Sequence, residues 1–186
     1  MEVMQSKRIA FIGAHSSGKD TLSHYAFAYL KKKKHSCYYI TEIAEKALMR
    51  HMKLNSTKGQ LFLLGYQMKA EMEAAAWNKR EFIICNRGVI DSVPYSSRLG
   101  ANIQYRIREI VRQYMALAPY SLIILLRPYS TIENDGLRDL DKKDQFNIDA
   151  EFIRILHEDK LQYKELNAPT KEKRERQLRR ILHDIM

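Results

Sequence analysis

Cysteine is scarce in this 186-residue chain. Only Cys37 and Cys85 occur. Both lie in apolar, strand-like runs and no C-x-x-C pair exists, so a disulfide scaffold is excluded and free, buried thiols are expected. No apolar run is long enough to span a bilayer, and the start "MEVMQSK" has no signal-peptide core. A cytoplasmic protein that does not engage membranes is therefore expected. Internal repeats and low-complexity linkers are also missing. Acidic residues are outnumbered, 22 Asp+Glu against 32 Lys+Arg, leaving a formal net charge of +10. Acidic partners fit that balance, and nucleotides and nucleic acid both qualify. The excess lies mainly in residues 1–80.

What is present suits one domain over residues 1–186, and a 45% apolar content can build its core. Four short apolar runs read as buried strands: "RIAFI" (8–12), "CYYIT" (37–41), "FIICN" (82–86) and "SLIILLR" (121–127). Continuous rather than alternating runs are what a parallel sheet covered on both faces requires. Helical patterns separate them. One runs from about Gly18 to Lys33 and another begins near Ile43. A long one follows Ser56, carrying Leu61, Leu64, Met68, Met72 and Ala75 at helical spacing. A further one covers Ile103 to Ala116. Strands alternating with helices predict a doubly wound α/β fold. Residues 127–146 are polar and charged and read as a loop or mobile lid. A C-terminal helical stretch follows over 149–186, as Asp149–Leu166 and Thr170–Ile185. The segment "YKELNAP" is a poor fifth strand, predicted short or absent.

"GAHSSGKDT" (13–21) follows the first strand and opens a helix. It matches the phosphate-cradling pattern G-x-x-x-x-G-K-[ST] except at Asp20. Gly13 and Gly18 let the backbone wrap an anion with its N–H groups. The following helix adds its positive dipole end, and Lys19 reaches the outer phosphates as a point charge. Residues Gly13, Ala14, His15, Ser16, Ser17, Gly18, Lys19, Asp20 and Thr21 are the expected nucleotide-binding set, with His15 shaping the loop. Asp20 offers a charged oxygen where a hydroxyl normally meets magnesium, and a hard cation accepts it. Thr21 is the alternative if the register shifts.

Three segments carry a family resemblance: "GAHSSGKDTL", "CNRGVIDSVPYS" (85–96) and "ENDGLRDLD" (133–141). On them, over most of residues 8–165, the chain resembles the P-loop nucleoside and nucleotide kinase group. It is most similar to the small ATPase/kinase family that includes the ribosylnicotinamide kinase domain. The Gly-Lys-Asp loop also resembles that of phage-type deoxynucleoside monophosphate kinases. The resemblance implies a three-layer P-loop kinase fold with a parallel sheet of four or five strands and a lid. It implies ATP and Mg2+, and transfer of the γ-phosphoryl group to a nucleoside, nucleotide or related small metabolite, in a monomer or homodimer.

The third strand of related proteins ends on an acid that orients the water shell of magnesium. Here that place is Asn86, so the metal-directed charge has either moved to Asp20 or been lost. Arg87 matches the family's arginine at the acceptor or phosphate groups, and Arg138 its lid arginine. Arg127 is a weaker third cation. Glu42 falls where similar kinases place the base for the acceptor hydroxyl, though it also suits the first turn of a helix. Asp91 is a second acid for the substrate's sugar or base, or a helix-start residue. Tyr66 and Tyr95 are either ring-stacking or core residues. Arg98, Arg106, Arg108 and Arg112 leave a monophosphate acceptor open.

The basic runs "KKKK" (31–34) and "TKEKRERQLRR" (170–180) raise polynucleotide kinase activity as an alternative. The first belongs at the far end of the loop's helix, roughly 20 Å from the phosphates. The second reads as an exposed amphipathic helix. Neither is interleaved with stacking aromatics. A non-catalytic nucleotide-binding protein is the other alternative.

Overall fold

The structure is a computed structural model that describes residues 6–42, 44, 53–77, 80–129 and 142–186. Five parallel strands form its sheet: β1 (Lys7–Ile12), β2 (Cys37–Ile40), β3 (Phe82–Asn86), β4 (Leu122–Leu126) and β5 (Lys164–Leu166). Their order is β2-β3-β1-β4-β5. The helices among the described residues are α1 (Lys19–Lys32), α2 (Thr57–Trp77), α3 (Ser92–Ser96), α4 (Ala101–Leu117), α5 (Lys142–Glu158) and α6 (Lys171–His183).

Strand alternation divides the core. Ile9 and Phe11 of β1 face α1 and α6, meeting Leu22, Ala26, Leu178 and Leu182. Ala10 and Ile12 face the other way, toward Val93, Ile107, Val111, Ile148 and Phe152. Both faces of β1, β3 and β4 are covered, which is why their sequences are unbroken apolar runs. The two thiols are free and buried, and burial pushes the Cys85 thiol well above its ordinary range.

The fifth strand, expected short or absent, is present and short: Lys164–Leu166 pairs with Ile124–Leu126. Two expectations need correction. Helix α5 starts at Lys142, inside the stretch expected to be loop, and stops at Glu158 rather than reaching Leu166. Its stop is a left-handed lysine, Lys160 (φ 51°). The N–H groups of Lys160 and Leu161 return to the carbonyls of His157 and Leu156, closing a Schellman motif. Helix α2 turns a different face inward than its apolar residues suggest. Leu64 is buried as expected, but Leu61 and Met72 are exposed, and Gln60, Gln67 and Glu71 are buried instead.

A buried polar network explains that inversion. Glu71 is 0% exposed and accepts from Arg8 Nη1 (3.1 Å), the Tyr114 hydroxyl (3.0 Å), the Tyr120 hydroxyl (2.6 Å) and Gln67 Nε2 (2.8 Å). The carboxylate is thereby satisfied away from water. The helix expected near Ile43 falls mostly outside the described residues.

Candidate functional site

The turn between β1 and α1 requires its glycines. Gly13 has φ 142°, and a Cβ on it would sit 2.4 Å from the Leu126 carbonyl oxygen. Gly18 has φ 85° and lies against the Tyr129 ring. Ser16 also turns left-handed, at φ 54°. The chain therefore wraps back over the end of β1 and enters α1 at Lys19, with the positive end of the helix aimed into the curl. Lys19 is 4% exposed. Its ammonium donates to the carbonyls of Gly13 (2.8 Å) and Ala14 (2.6 Å), inside the loop's own curl. Ala14, His15 and Ser17 are buried around it. The His15 carbonyl accepts from Gln145 Nε2 of α5 at 2.6 Å, tying the loop to that helix.

Asp20 and Asn86 adjoin. Asn86 Nδ2 donates to Asp20 Oδ1 at 3.0 Å. Asn86 is 1% exposed, and its Oδ1 has no partner among the described residues. The Asp20 side chain is 70% exposed, with His24 Nδ1 at 3.3 Å. Tyr39 closes this corner, its hydroxyl shared with Ser23 Oγ (2.8 Å) and His24 Nδ1 (3.0 Å). Burial pushes the Tyr39 phenol up to about 12. A hard divalent cation suits these donors. One open carboxylate and one orphaned amide oxygen fit an ion that keeps most of its waters and takes its other ligands from phosphates. Among the described residues no three His, Cys, Asp or Glu side chains gather into a cage for a softer metal. Thr21 is exposed on the next position of α1.

Arg87 follows β3 and is the centre of the second half of the site. Its backbone is left-handed, φ 88°, a costly conformation for a residue with a Cβ. Two contacts fix it: its N–H donates to the Phe11 carbonyl (3.1 Å), and its own carbonyl accepts from Gln67 (3.0 Å). The guanidinium bridges Glu42 Oε1 (2.9 Å) and Asp91 Oδ1 (3.1 Å), and lies 5.3 Å from the centre of the Tyr95 ring. Asp91 Oδ2 accepts from the Gly88 N–H at 3.0 Å. Burial raises the Asp91 carboxyl above its usual range, against the pull of Arg87 and Lys19. Arg98 approaches the same Tyr95 ring and is paired with Asp144 of α5.

The residues anticipated for the site are thus brought together in part. Residues 13–21, Glu42, Asn86, Arg87, Asp91 and Tyr95 converge at the C-terminal edge of β1, β2 and β3, where ligands bind in open α/β sheets. Tyr66 does not join them; it packs against Phe62 on the outer side of α2. Arg108 and Arg112 are bound to Asp159 beyond the end of α5, and Arg106 bonds Asn102 on the surface. Arg127 is engaged by Asp149 (2.8 Å) and Glu165 (3.4 Å). Arg138 lies outside the described residues, as does most of the expected lid. Tyr39, His24 and Gln145 carry no local motif and were not anticipated.

A family model described as an AAA domain matches residues 8–174. The chain belongs to that family. No curated protein matches this AAA-domain chain. Among solved structures, the NadR protein in complex with NR superposes with a TM-score of 0.80 at 15% identity, covering 97% of this chain and 52% of that one. NadR in complex with NAD and AMP-PNP gives 0.75 at 15%, covering 96% and 49%. The AAA-domain chain therefore spans about half the length of the NadR chains. Deoxyadenosine kinase from M. mycoides, with dCMP and dCDP bound, gives 0.60 at 14% identity and covers 96% and 98%. These likenesses establish a P-loop kinase-like α/β fold.

Proposed function

We propose that the chain is an ATP-dependent phosphotransferase whose acceptor is a hydroxyl group of a nucleoside or related small metabolite. The observation that carries this reading is the pairing of two half-sites on one sheet edge. A buried ammonium stands inside a glycine curl, and beside it a buried arginine is clamped between Glu42 and Asp91.

Phosphoryl transfer needs alignment and charge neutralisation more than covalent chemistry. Residues 13–21 would hold the polyphosphate by main-chain N–H groups, with the Lys19 ammonium turned from the carbonyls of Gly13 and Ala14 to phosphate oxygens. Asp20 would hold magnesium, with Asn86 Oδ1 accepting a hydrogen bond from its water shell. When bound, that ion offsets negative charge on the phosphates. The charge of the strand-end acid has then moved one element over, from Asn86 to Asp20. Glu42 accepts the acceptor's proton as its oxygen forms the new bond to phosphorus and ADP leaves. Arg87 keeps Glu42 aimed. Asp91 and Tyr95 hold the sugar or base. Of the expected lid over 127–146, the part between Tyr129 and Lys142, with Arg138, would close over the site within one domain.

Charge pairing favours a hydroxyl acceptor over a monophosphate. A phosphate acceptor needs uncommitted arginines and no base. Among the described residues, Arg87, Arg98, Arg108 and Arg112 each face a carboxylate. Lys31–Lys34 are exposed at the far end of α1, away from the curl, so a polynucleotide acceptor gains nothing from them.

The test is ADP release with ATP and magnesium across nucleosides, ribosylnicotinamide, nucleoside monophosphates and hydroxyl-ended oligonucleotides. Turnover with one of the first two classes is expected. Turnover only with monophosphates or oligonucleotides would replace the acceptor assignment, and none with any acceptor would leave a nucleotide-binding protein.

A further inference from the structure

Helix α6 is rich in charge and mostly solvent-facing, yet Arg174 in its first turn is 1% exposed. Its Nη1 donates to the carbonyls of Ser17 (3.0 Å) and Arg127 (2.8 Å), and its Nε to that of Ala168 (2.7 Å). The guanidinium carbon lies 3.7 Å from the centre of the Tyr129 ring. That ring in turn covers Gly18, since a Cβ there would come within 3.2 Å of Tyr129 Cε2. Arg174 is thus packed directly behind the phosphate curl, from a helix about 150 residues away in sequence.

Its charge has no acid opposite it among the described residues. The other deeply buried guanidiniums face carboxylates, Arg8 toward Glu71 and Arg87 toward Glu42 and Asp91. Among the described residues no carboxylate pairs with Arg174. Burial therefore lowers its basicity, while the acids beside Arg8 and Arg87 raise theirs. Carbonyl dipoles and a ring face satisfy its donors but supply no unit charge.

We propose that Arg174 is a positioning residue whose counter-charge is the nucleotide polyphosphate: it braces the Ser17 carbonyl from behind and holds a buried positive charge under the loop. This rests on the reading that residues 13–21 bind polyphosphate. It follows that the contribution of Arg174 grows with the charge of the ligand. It follows too that filling the loop tightens α6 onto the sheet.

The test is calorimetric titration of the full chain and of Arg174→Gln with ATP, ADP and AMP. The variant should lose roughly 10-fold or more in ATP affinity, less for ADP, and under about two-fold for AMP, because the Coulomb attraction scales with ligand charge. Equal losses for all three, or none, would overturn the proposal and leave Arg174 a packing residue. Absence of ATP uptake by the unmodified chain would instead overturn the polyphosphate reading beneath it. Should the variant not fold, hydrogen exchange on the unmodified chain decides. Inorganic tripolyphosphate should slow exchange across Lys171–His183, and unchanged exchange there with the ligand bound would overturn the proposal.

Discussion

Asp20 stands where the loop pattern places a hydroxyl, and it lies 3.0 Å from the amide of the residue that stands where an acid was expected. On the proposed reading the two departures are one local exchange of charge. Asp20→Ala should raise the magnesium concentration for half-maximal ATP turnover by roughly 10-fold or more, with Asp20→Ser in between. An unchanged magnesium dependence in the alanine variant would contradict the exchange. Residues 13–21 were legible from sequence because the curl is local: two glycines, a lysine and the flanking elements suffice. Tyr39 and Arg174 were not. Tyr39 reaches the site only through the register of β2 on β3, and Arg174 only through the docking of a helix whose pattern reads as solvent-exposed.

At the scale of elements, apolar periodicity located α2 but mistook its inner face. Glu71 and Gln67 look like surface residues until Arg8 arrives from β1, Tyr114 from α4 and Tyr120 from the loop before β4. Glu71→Ala should cost about 3 kcal/mol in urea unfolding, because it strands the Arg8 guanidinium in the core. A loss below about 1 kcal/mol would show that Arg8 finds water or another partner. Because Gln67 donates to both Glu71 and the Arg87 carbonyl, the network also bears on the strained turn at Arg87. The end of α5 was misjudged for a similar reason. Its left-handed stop is a lysine where glycine is the usual signal, and the three-residue β5 behind it carries almost no pattern of its own.

At the scale of the whole molecule, the net charge of +10 is partly held in place by ion pairs far from the phosphate curl. The Asp159 carboxylate is raised by burial but lowered further by hydrogen bonds from Arg108 and Arg112, leaving it below the usual range. A depressed folded-state value gives stability that is present above the ordinary carboxylate pKa and lost as pH falls through the lower one. Thermal midpoints should therefore fall below about pH 4, and Asp159→Asn should flatten that part of the fall. Parallel curves for the two proteins would contradict the pairing. The α/β class was readable from four apolar runs, since a sheet covered on both faces leaves strands little choice of composition.

The central claim is that the curl from Gly13 to Thr21 closes on the polyphosphate of a nucleotide through Lys19. Calorimetric titration of ATP with magnesium into the unmodified chain and into Lys19→Ala tests it most directly. The account predicts saturable uptake by the first and a loss of roughly 100-fold in the second. No uptake by the unmodified chain, or equal uptake by both, would contradict it.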